Sequence, residues 1–205
     1  MRGLDNLRHP DVTAARIVLA STSSYRRSLM ERLRLPFDVI APDVDETPLS
    51  HETAEGTALR LAAAKARAVA SFGRDELIIG SDQVAVLKDE RLGKPGDHDS
   101  AVRQLRMVRG KQVVFHTALC LCHAASGRIQ LATVPTTVMF RQISDAQVER
   151  YLAVERPYDC AGSAKIESLG IALVERVESD DPTALIGLPL IQLVTMLGNE
   201  GIEVA

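Results

Sequence analysis

A hydroxyl-rich turn followed by two arginines lies near the start of the chain, in the sequence STSSYRR over residues 21–27. A short apolar run before it predicts a buried strand, and the apolar spacing after it predicts a helix over 26–35. A turn between a strand and a helix start suits phosphate, because free backbone N–H groups and the helix dipole both favour an anion. Taken alone, the turn is equally consistent with an ordinary serine N-cap beside two solvated arginines. The candidate phosphate-binding side chains are Ser21, Ser23, Arg26 and Arg27.

Two carboxylates are candidates for metal binding and for general-base chemistry. Asp82 follows the apolar run 77–80, which predicts a central strand, and ligands of α/β sheets gather at the carboxyl ends of strands. Glu46 lies in an acidic loop after another predicted strand. Such carboxylates can bind a divalent cation or accept a proton from water, while Lys65 and Lys94 would supply positive charge for a polyphosphate. Together these groups are what phosphoryl chemistry requires, although a lone aspartate after a strand is more often a turn cap.

Hydrophobic periodicity and turn residues predict the elements that must position these groups. Strand–helix units come first, a hairpin follows and mixed elements close the chain, which predicts an α/β fold with a mixed sheet. We expect one domain over 15–205, with two lobes around a cleft, after a leader over 1–14. The predicted strands are 15–20, 37–40, 77–87, 113–122, 127–140 and 170–177. The predicted helices are 26–35, 53–71, 97–108, 144–155 (with a capping box at its start) and 188–197, whose Leu190, Ile191, Val194 and Leu197 should face the core.

Charge and composition exclude several classes of function. The net charge of −3 provides no global basic field for long nucleic acid. Three cysteines, an odd number, argue against a disulfide framework and for a reducing compartment. No apolar run approaches the roughly 18 residues of a membrane span, and the first residues lack the apolar centre of a secretory signal. We therefore expect a cytoplasmic protein whose partners include neither long nucleic acid nor a membrane.

The cysteines raise metal binding as an alternative interpretation. Cys120 and Cys122 precede His123, but this C-x-C spacing lies in an apolar strand pattern and has no partner pair of ligands. Because side chains alternate along a strand, both cysteines share one face, and a core face is the simplest interpretation. Cys160 is the first residue of the segment CAGSAKIESLG and could lie near the cleft, although a small buried residue is the simpler interpretation.

Seven collinear segments, which run from about residue 17 to 190, make the chain similar to one known family. They are LASTSSYRRSLMERL, DVDET, LAAAKA, IIGSDQV, LGKP, CAGSAKIESLG and IGLPL. In these segments the chain resembles the Maf family of nucleotide pyrophosphatases. The resemblance implies an elongated mixed sheet flanked by helices around a cleft, and hydrolysis of a nucleoside triphosphate to a monophosphate and pyrophosphate. It also implies a divalent cation, Mg²⁺ or Mn²⁺, with Asp82 as the catalytic residue and Asp82 and Glu46 as metal ligands. The substrate-binding residues that it implies are Ser21, Ser23, Arg26, Arg27, Glu46, Lys65 and Lys94.

Within that family, three positions make the chain similar to the branch that hydrolyses 7-methyl-GTP. They are the aromatic Tyr25, Gln83 after the catalytic position, and Glu167, where the dTTP/UTP branch typically has Arg, Thr and Gln. N7-methylation makes guanine cationic, so the ring of Tyr25 would gain a cation–π attraction of about 0.5–2 kcal/mol. The carboxylate of Glu167 would accept hydrogen bonds from the guanine N1–H and amino groups and complement the positive charge of the base.

Two other functions stay open at this point. The same chemistry would serve a dTTP/UTP pyrophosphatase, and the Maf name has also been attached to a nucleotide-binding regulator of cell division. The combination of Asp82 and Glu46 with two lysines favours an enzyme, because a pure binder would not need the acidic pair. The nucleotide is then the expected small-molecule partner, and a homodimer is left open as the assembly.

Overall fold

The computed structural model describes residues 15–70 and 74–204, so the predicted leader, 1–14, and the predicted end of the second helix at 71 lie outside the described residues. The strands are β1 (Arg16–Ala20), β2 (Asp38–Ile40), β3 (Glu76–Leu87), β4 (Glu90–Leu92), β5 (Gln112–His123), β6 (Arg128–Phe140) and β7 (Val174–Ser179). The helices are α1 (Ser24–Met30), α2 (Ala54–Val69), α3 (His98–Val108), α4 (Asp145–Glu155) and α5 (Leu190–Asn199).

The seven strands form one mixed sheet, in the order β2-β1-β3-β5-β6-β7 with β4 paired to β3. β1 is parallel to β2 and β3, whereas the pairs β3–β4, β3–β5, β5–β6 and β6–β7 are antiparallel. Strands β3, β5 and β6 have 12, 12 and 13 residues, which makes the sheet elongated. The α/β fold with a mixed sheet and flanking helices, predicted from the sequence, is confirmed.

The apolar core is divided into three clusters. Two of them cover opposite faces of β1, β3 and β5, one with α1 and α5 and the other with α2. The third surrounds α3 and α4 at the far end of the sheet, consistent with two lobes. Along β5, Leu119 and Leu121 belong to the α5 face, while Cys120 and Cys122 belong to the α2 face. The predicted shared core face of these two cysteines is confirmed.

Helix α2 lies unusually close to the central strand β3 at Gly80. A Cβ atom on Gly80 would lie 2.2 Å from the carbonyl oxygen of Ala62 and 2.8 Å from the backbone nitrogen of Ala66. The alanines on this face of α2 have small side chains, so helix and strand can approach until only a glycine fits between them. This approach brings Lys65, on the same helix, to Asp82 on the strand.

Replacing Gly80 with alanine is expected to lower the free energy of unfolding by about 1–3 kcal/mol, because the new methyl group must displace the backbone of α2. Urea unfolding followed by circular dichroism measures this change. Gly198→Ala in α5 is the matched control, because a Cβ atom there meets nothing within 4 Å. An equally stable Gly80→Ala protein would show that α2 moves away without cost.

Two predictions about the C-terminal part of the chain are wrong. In α5, Ile191 is 58% exposed and Val194 is 37% exposed, whereas Leu193 and Met196 are buried. This helix is apolar on most of its circumference, so spacing alone did not define its buried stripe. The predicted strand 170–177 begins only at Val174, because the preceding residues form a 3₁₀ turn packed on the backbone of Lys165.

The predicted capping box at the start of α4 is confirmed by reciprocal hydrogen bonds between Ser144 and Gln147. Among the described helices, none has the length and apolar character needed to cross a membrane.

Candidate functional site

A cavity of about 600 Å³ opens beside the carboxyl end of β1 and the middle of β3. Its volume falls in the ordinary range of small-molecule sites, about 300–1,000 Å³. Nine of the eleven predicted site residues line this cavity, whereas Ser21 and Arg27 do not. The nine are Ser23, Tyr25, Arg26, Glu46, Lys65, Asp82, Gln83, Lys94 and Glu167.

The turn before α1 is ordered by its own serines. The buried Ser21 hydroxyl oxygen accepts a hydrogen bond of 3.1 Å from the backbone N–H of Ser23, which stabilises the turn from its buried side. Ser23 is the N-cap of α1, and its hydroxyl oxygen accepts from the backbone N–H of Arg26 at 3.4 Å. A capping hydroxyl still has its own proton to donate, so Ser23 can donate to a ligand in the cavity while Ser21 positions the turn.

The two arginines of α1 lie on different sides of the helix. Arg26 lines the cavity and donates from Nε to the carbonyl oxygen of Gly187 at 2.8 Å. Arg27 is 64% exposed and pairs with Glu31 at 3.2 Å on the outer surface of the same helix. Successive residues of a helix are about 100° apart, and the ion pair with Glu31 holds the Arg27 guanidinium on the outer side. The structure therefore does not bring Arg27 to the predicted phosphate site.

The carbonyl of Gly187 anchors Arg26 because it also accepts from the buried hydroxyl of Ser81 at 2.8 Å. Gly187 has a φ of 119°, a conformation that favours glycine. Burial lowers the pKa of Arg26, while the nearby carboxylates of Asp82 and Glu46 act in the opposite direction. An arginine nevertheless keeps its charge in proteins, so Arg26 places a fixed cation next to these two carboxylates.

Lys65 joins the two predicted carboxylates. Its Nζ lies 2.6 Å from Oδ1 of Asp82 and 2.7 Å from Oε1 of Glu46. The side chain of Asp82 is 10% exposed and that of Glu46 is 57% exposed, so the first carboxylate is far more desolvated than the second. An ammonium group has three donors, of which these contacts use two, so one N–H is left for a phosphate oxygen.

The two carboxylates have pKa values shifted in opposite directions. Burial raises the pKa of Asp82, against the opposing charge and hydrogen bond of Lys65. Burial acts to raise the pKa of Glu46 as well, but the hydrogen bond and charge of Lys65 outweigh it, and the net pKa is lowered. Two neighbouring carboxyl groups whose pKa values are shifted apart can have different roles. The raised pKa suits Asp82 to accept a proton, and the lowered pKa keeps Glu46 ionised.

The donor set fits a divalent cation of the type that phosphate chemistry uses. Asp82 and Glu46 each direct one oxygen to Lys65, which leaves the second oxygen of each carboxylate available. Over residues 15–70 and 74–204, no group of three or more His, Cys, Asp or Glu side chains is placed to hold a metal. Mg²⁺ is commonly held by only one or two carboxylates, with substrate phosphates and water completing its octahedron, so two carboxylates suffice.

The three residues predicted to select the base meet in the same cavity, although they come from α1, β3 and the segment after α4. The Gln83 amide nitrogen lies 2.9 Å from Oγ1 of Thr117 and 3.1 and 3.0 Å from the carbonyl oxygens of Ala184 and Leu185. Carbonyls only accept, so this contact fixes the amide orientation of Gln83. Burial raises the pKa of Glu167. A cation that binds nearby would favour the ionised carboxylate and lower this pKa.

Sequence reasoning missed Asp159 and Lys165 beside Tyr25 and favoured a buried position for Cys160. The hydroxyl of Tyr25 lies 3.4 Å from Oδ2 of Asp159 and 3.7 Å from Sγ of Cys160, and Lys165 lies over its ring. Cys160 lines the cavity and is partly exposed, so the alternative position near the cleft is correct and the favoured interpretation as a small buried residue is wrong. Burial raises the pKa of the Cys160 thiol to about 11, which makes it a poor nucleophile. These residues lie in an irregular segment, where no periodicity indicates which side chains point inward.

A mixed α/β sheet whose cavity combines two carboxylates, an arginine and lysines defines a protein suited to bind a polyphosphate. The chain belongs to the Maf family: the family model described as Maf-like protein matches residues 16–200.

Three relatives cover nearly the whole chain, and each is named 7-methyl-GTP pyrophosphatase. The protein of Thiobacillus denitrificans is 60% identical over 94% of this chain and 96% of its own length. The protein of Cupriavidus metallidurans is 55% identical over 92% of this chain and 95% of its own length. The protein of Nitrosospira multiformis is 56% identical over 93% of this chain and 96% of its own length.

Proposed function

We propose that this protein is a nucleoside triphosphate pyrophosphatase that converts 7-methyl-GTP to 7-methyl-GMP and pyrophosphate. The observation that carries the proposal is the Lys65 ammonium between Asp82 and Glu46, in a cavity shared with Arg26. The names of the relatives support the methylated substrate. Tyr25 and Glu167 in the same cavity support it independently.

The proposed reaction is attack of water on the α-phosphorus. Asp82 accepts a proton from the attacking water as the new P–O bond forms and the bond from the α-phosphorus to the bridging oxygen breaks. Pyrophosphate departs with the electrons of the broken bond. Arg26, Lys65 and Lys94 line the cavity and would stabilise charge on the transferred and leaving phosphates.

A divalent cation, Mg²⁺ or Mn²⁺, is part of the proposal. The oxygens of Asp82 and Glu46 that do not contact Lys65 would hold it together with the substrate phosphates. A carboxylate oxygen has two lone pairs, so this oxygen of Asp82 could contact the cation and still accept a proton from water. When bound, such a cation supplies positive charge that polarises the phosphoryl oxygens. Lys65 keeps the two carboxylates converging on one point, which maintains the ligand pair in position.

The base is proposed to bind at the end of the cavity formed by Tyr25 and Glu167. N7-methylguanine is cationic, so the face of Tyr25 would attract it by about 0.5–2 kcal/mol. The carboxylate of Glu167 would accept from the N1–H and amino groups. The positive base would also favour the ionised form of Glu167, which burial disfavours.

Pyrophosphate release from a panel of nucleotides tests the proposal. The panel contains 7-methyl-GTP, GTP, dTTP and UTP, each with Mg²⁺ or Mn²⁺ and each without added metal. We expect the highest kcat/KM for 7-methyl-GTP, and release only with metal. Release from dTTP and UTP but not from 7-methyl-GTP would overturn the substrate, and no release at all would favour a nucleotide-binding regulator.

The substitution Arg26→Ala is expected to lower kcat/KM by about 100-fold, because a preorganised hydrogen-bond donor to the reacting phosphates is lost. Arg27→Ala, in the adjacent residue, is the matched control and is expected to stay within about threefold, since its exposed pair with Glu31 contributes little. Steady-state pyrophosphate release measures both variants. An equal loss of kcat/KM in the two variants would contradict the conclusion that Arg26 faces the cavity and Arg27 does not.

A cytoplasmic location is a further part of the proposal and rests on the sequence, and fractionation of cells that express the protein tests it. A homodimer stays open as the assembly, and sedimentation velocity of the full chain distinguishes it from a monomer.

A further inference from the structure

The ring of Tyr25 already has a cation on it. Nζ of Lys165 lies over the ring at 5.8 Å from its centroid, within the range of about 6 Å for cation–π attraction. The Lys165 side chain is 18% exposed, so the contact is largely sheltered from water. Lys165 is not among the residues that line the cavity, but a cationic base that stacks on Tyr25 would share the attraction of the ring with this ammonium and would be repelled by its charge.

The ammonium has a second partner close by. Nζ of Lys165 lies 3.7 Å from Oδ1 of Asp159, whose other carboxylate oxygen lies 3.4 Å from the Tyr25 hydroxyl. Asp159 is 63% exposed, so it can pair with Lys165 in water without a desolvation cost. A displaced ammonium would therefore keep an anionic partner and would not have to enter bulk solvent alone.

The backbone of Lys165 is anchored, so movement is restricted to the side chain. Its backbone N–H donates to the Tyr151 hydroxyl at 2.9 Å, and Tyr151 belongs to the buried core. A Cβ atom on Gly170 would lie 2.3 Å from the Lys165 carbonyl oxygen, so the chain packs directly on this residue. Removing the ammonium should thus leave the surrounding backbone unchanged.

We propose that Lys165 is an internal competitor for the ring of Tyr25 that limits how tightly the cationic base is held, and that Asp159, which already contacts the ammonium, retains it when the base binds. The inference rests on the proposed function, since only a cationic base competes in this way. The product 7-methyl-GMP has the same cationic base as the substrate. Competition from Lys165 therefore promotes product release, a step that often limits turnover.

Calorimetric titration with 7-methyl-GMP and with GMP tests the inference without requiring turnover. We expect Lys165→Met to bind 7-methyl-GMP about threefold to tenfold more tightly, with a smaller change for GMP, because only the methylated base is cationic. Asp159→Asn should bind 7-methyl-GMP about threefold more weakly, because no carboxylate then offsets the charge of Lys165 near the cationic base. In the Lys165→Met protein, kcat should fall relative to kcat/KM if product release slows.

Each other outcome overturns part of the argument. Weaker binding of both monophosphates by Lys165→Met would show that Lys165 donates to the base, and an unchanged ratio of their affinities would show no competition.

Lys165→Gln, which removes the charge but retains a polar group, must behave like Lys165→Met, and circular dichroism checks that both variants fold. If the unmodified protein binds the two monophosphates equally, the proposed methylated substrate fails and the inference fails with it. If it prefers 7-methyl-GMP but Lys165→Met leaves that preference unchanged, only the inference fails.

Discussion

Replacing Asp82 with asparagine is expected to lower kcat by about a thousandfold while nucleotide binding is retained. The amide has nearly the same shape but cannot accept the proton of the attacking water, and general-base contributions are typically about 10²–10⁴. Lys65 keeps Glu46 as a partner in this variant, so the cavity should hold its form. Pyrophosphate release measures kcat, and calorimetry with 7-methyl-GMP measures binding. Near-normal turnover would contradict the assignment of Asp82 as the base.

The pH profile separates this role from a structural one. Burial raises the pKa of Asp82 above its ordinary value of 3.8, against the opposing effect of Lys65. A carboxyl group accepts a proton only when ionised, so the rate should fall as the pH falls through this raised pKa. The residual activity of Asp82→Asn should lose that acidic limb. Asp89→Asn, in the exposed turn between β3 and β4, is the control and should retain both the rate and the limb.

Replacing Lys65 with methionine is expected to affect both stability and activity. The side chain of Asp82 is 10% exposed, so without the ammonium its charge would lie nearly buried and unpaired. Breaking a buried pair in this way costs about 3–5 kcal/mol, and we expect a loss near the lower end because Glu46 stays solvated. We expect kcat to fall by at least about 100-fold, as the carboxylates lose the group that holds them together. Urea unfolding and pyrophosphate release measure the two effects.

The double variant Lys65→Met with Asp82→Asn tests the origin of that loss. It removes the unpaired charge, so it should recover most of the lost stability but none of the activity. If the double variant is as unstable as Lys65→Met alone, the lysine stabilises the protein through its packing and not through Asp82. A stable and active Lys65→Met protein would show that the ammonium is dispensable.

The regular elements near the site were predictable because their local patterns are strong. The apolar residues at 77–80 predict a buried strand that continues through Asp82, and β3 does so. The serines before α1 predict a capped helix start, and Ser23 is the N-cap. The predicted helix starts two residues later than α1 does, since the sequence does not show which serine of the turn is the cap.

The orientation of side chains around a helix was less predictable. The adjacent Arg26 and Arg27 were both predicted to bind phosphate. In α1 only Arg26 faces the cavity, while the guanidinium of Arg27 lies on the outer surface. Ile191 and Val194 have helical spacing too, yet α5 buries Leu193 and Met196 instead. In both helices the direction of each side chain depends on how the whole helix packs on the sheet, which local spacing does not contain.

By itself, the sequence determined most of the elements, the mixed sheet and most of the residues that line the cavity, because each of these depends on local propensity or on collinear motifs. Only the tertiary structure decided which groups touch. Lys65 meets Asp82 because the small residues of α2 allow the helix to reach Gly80, and Lys165 meets Tyr25 although 140 positions separate them. Such contacts depend on packing distances between distant segments, and those distances determine both the pKa of the proposed base and the cation with which the nucleotide must compete.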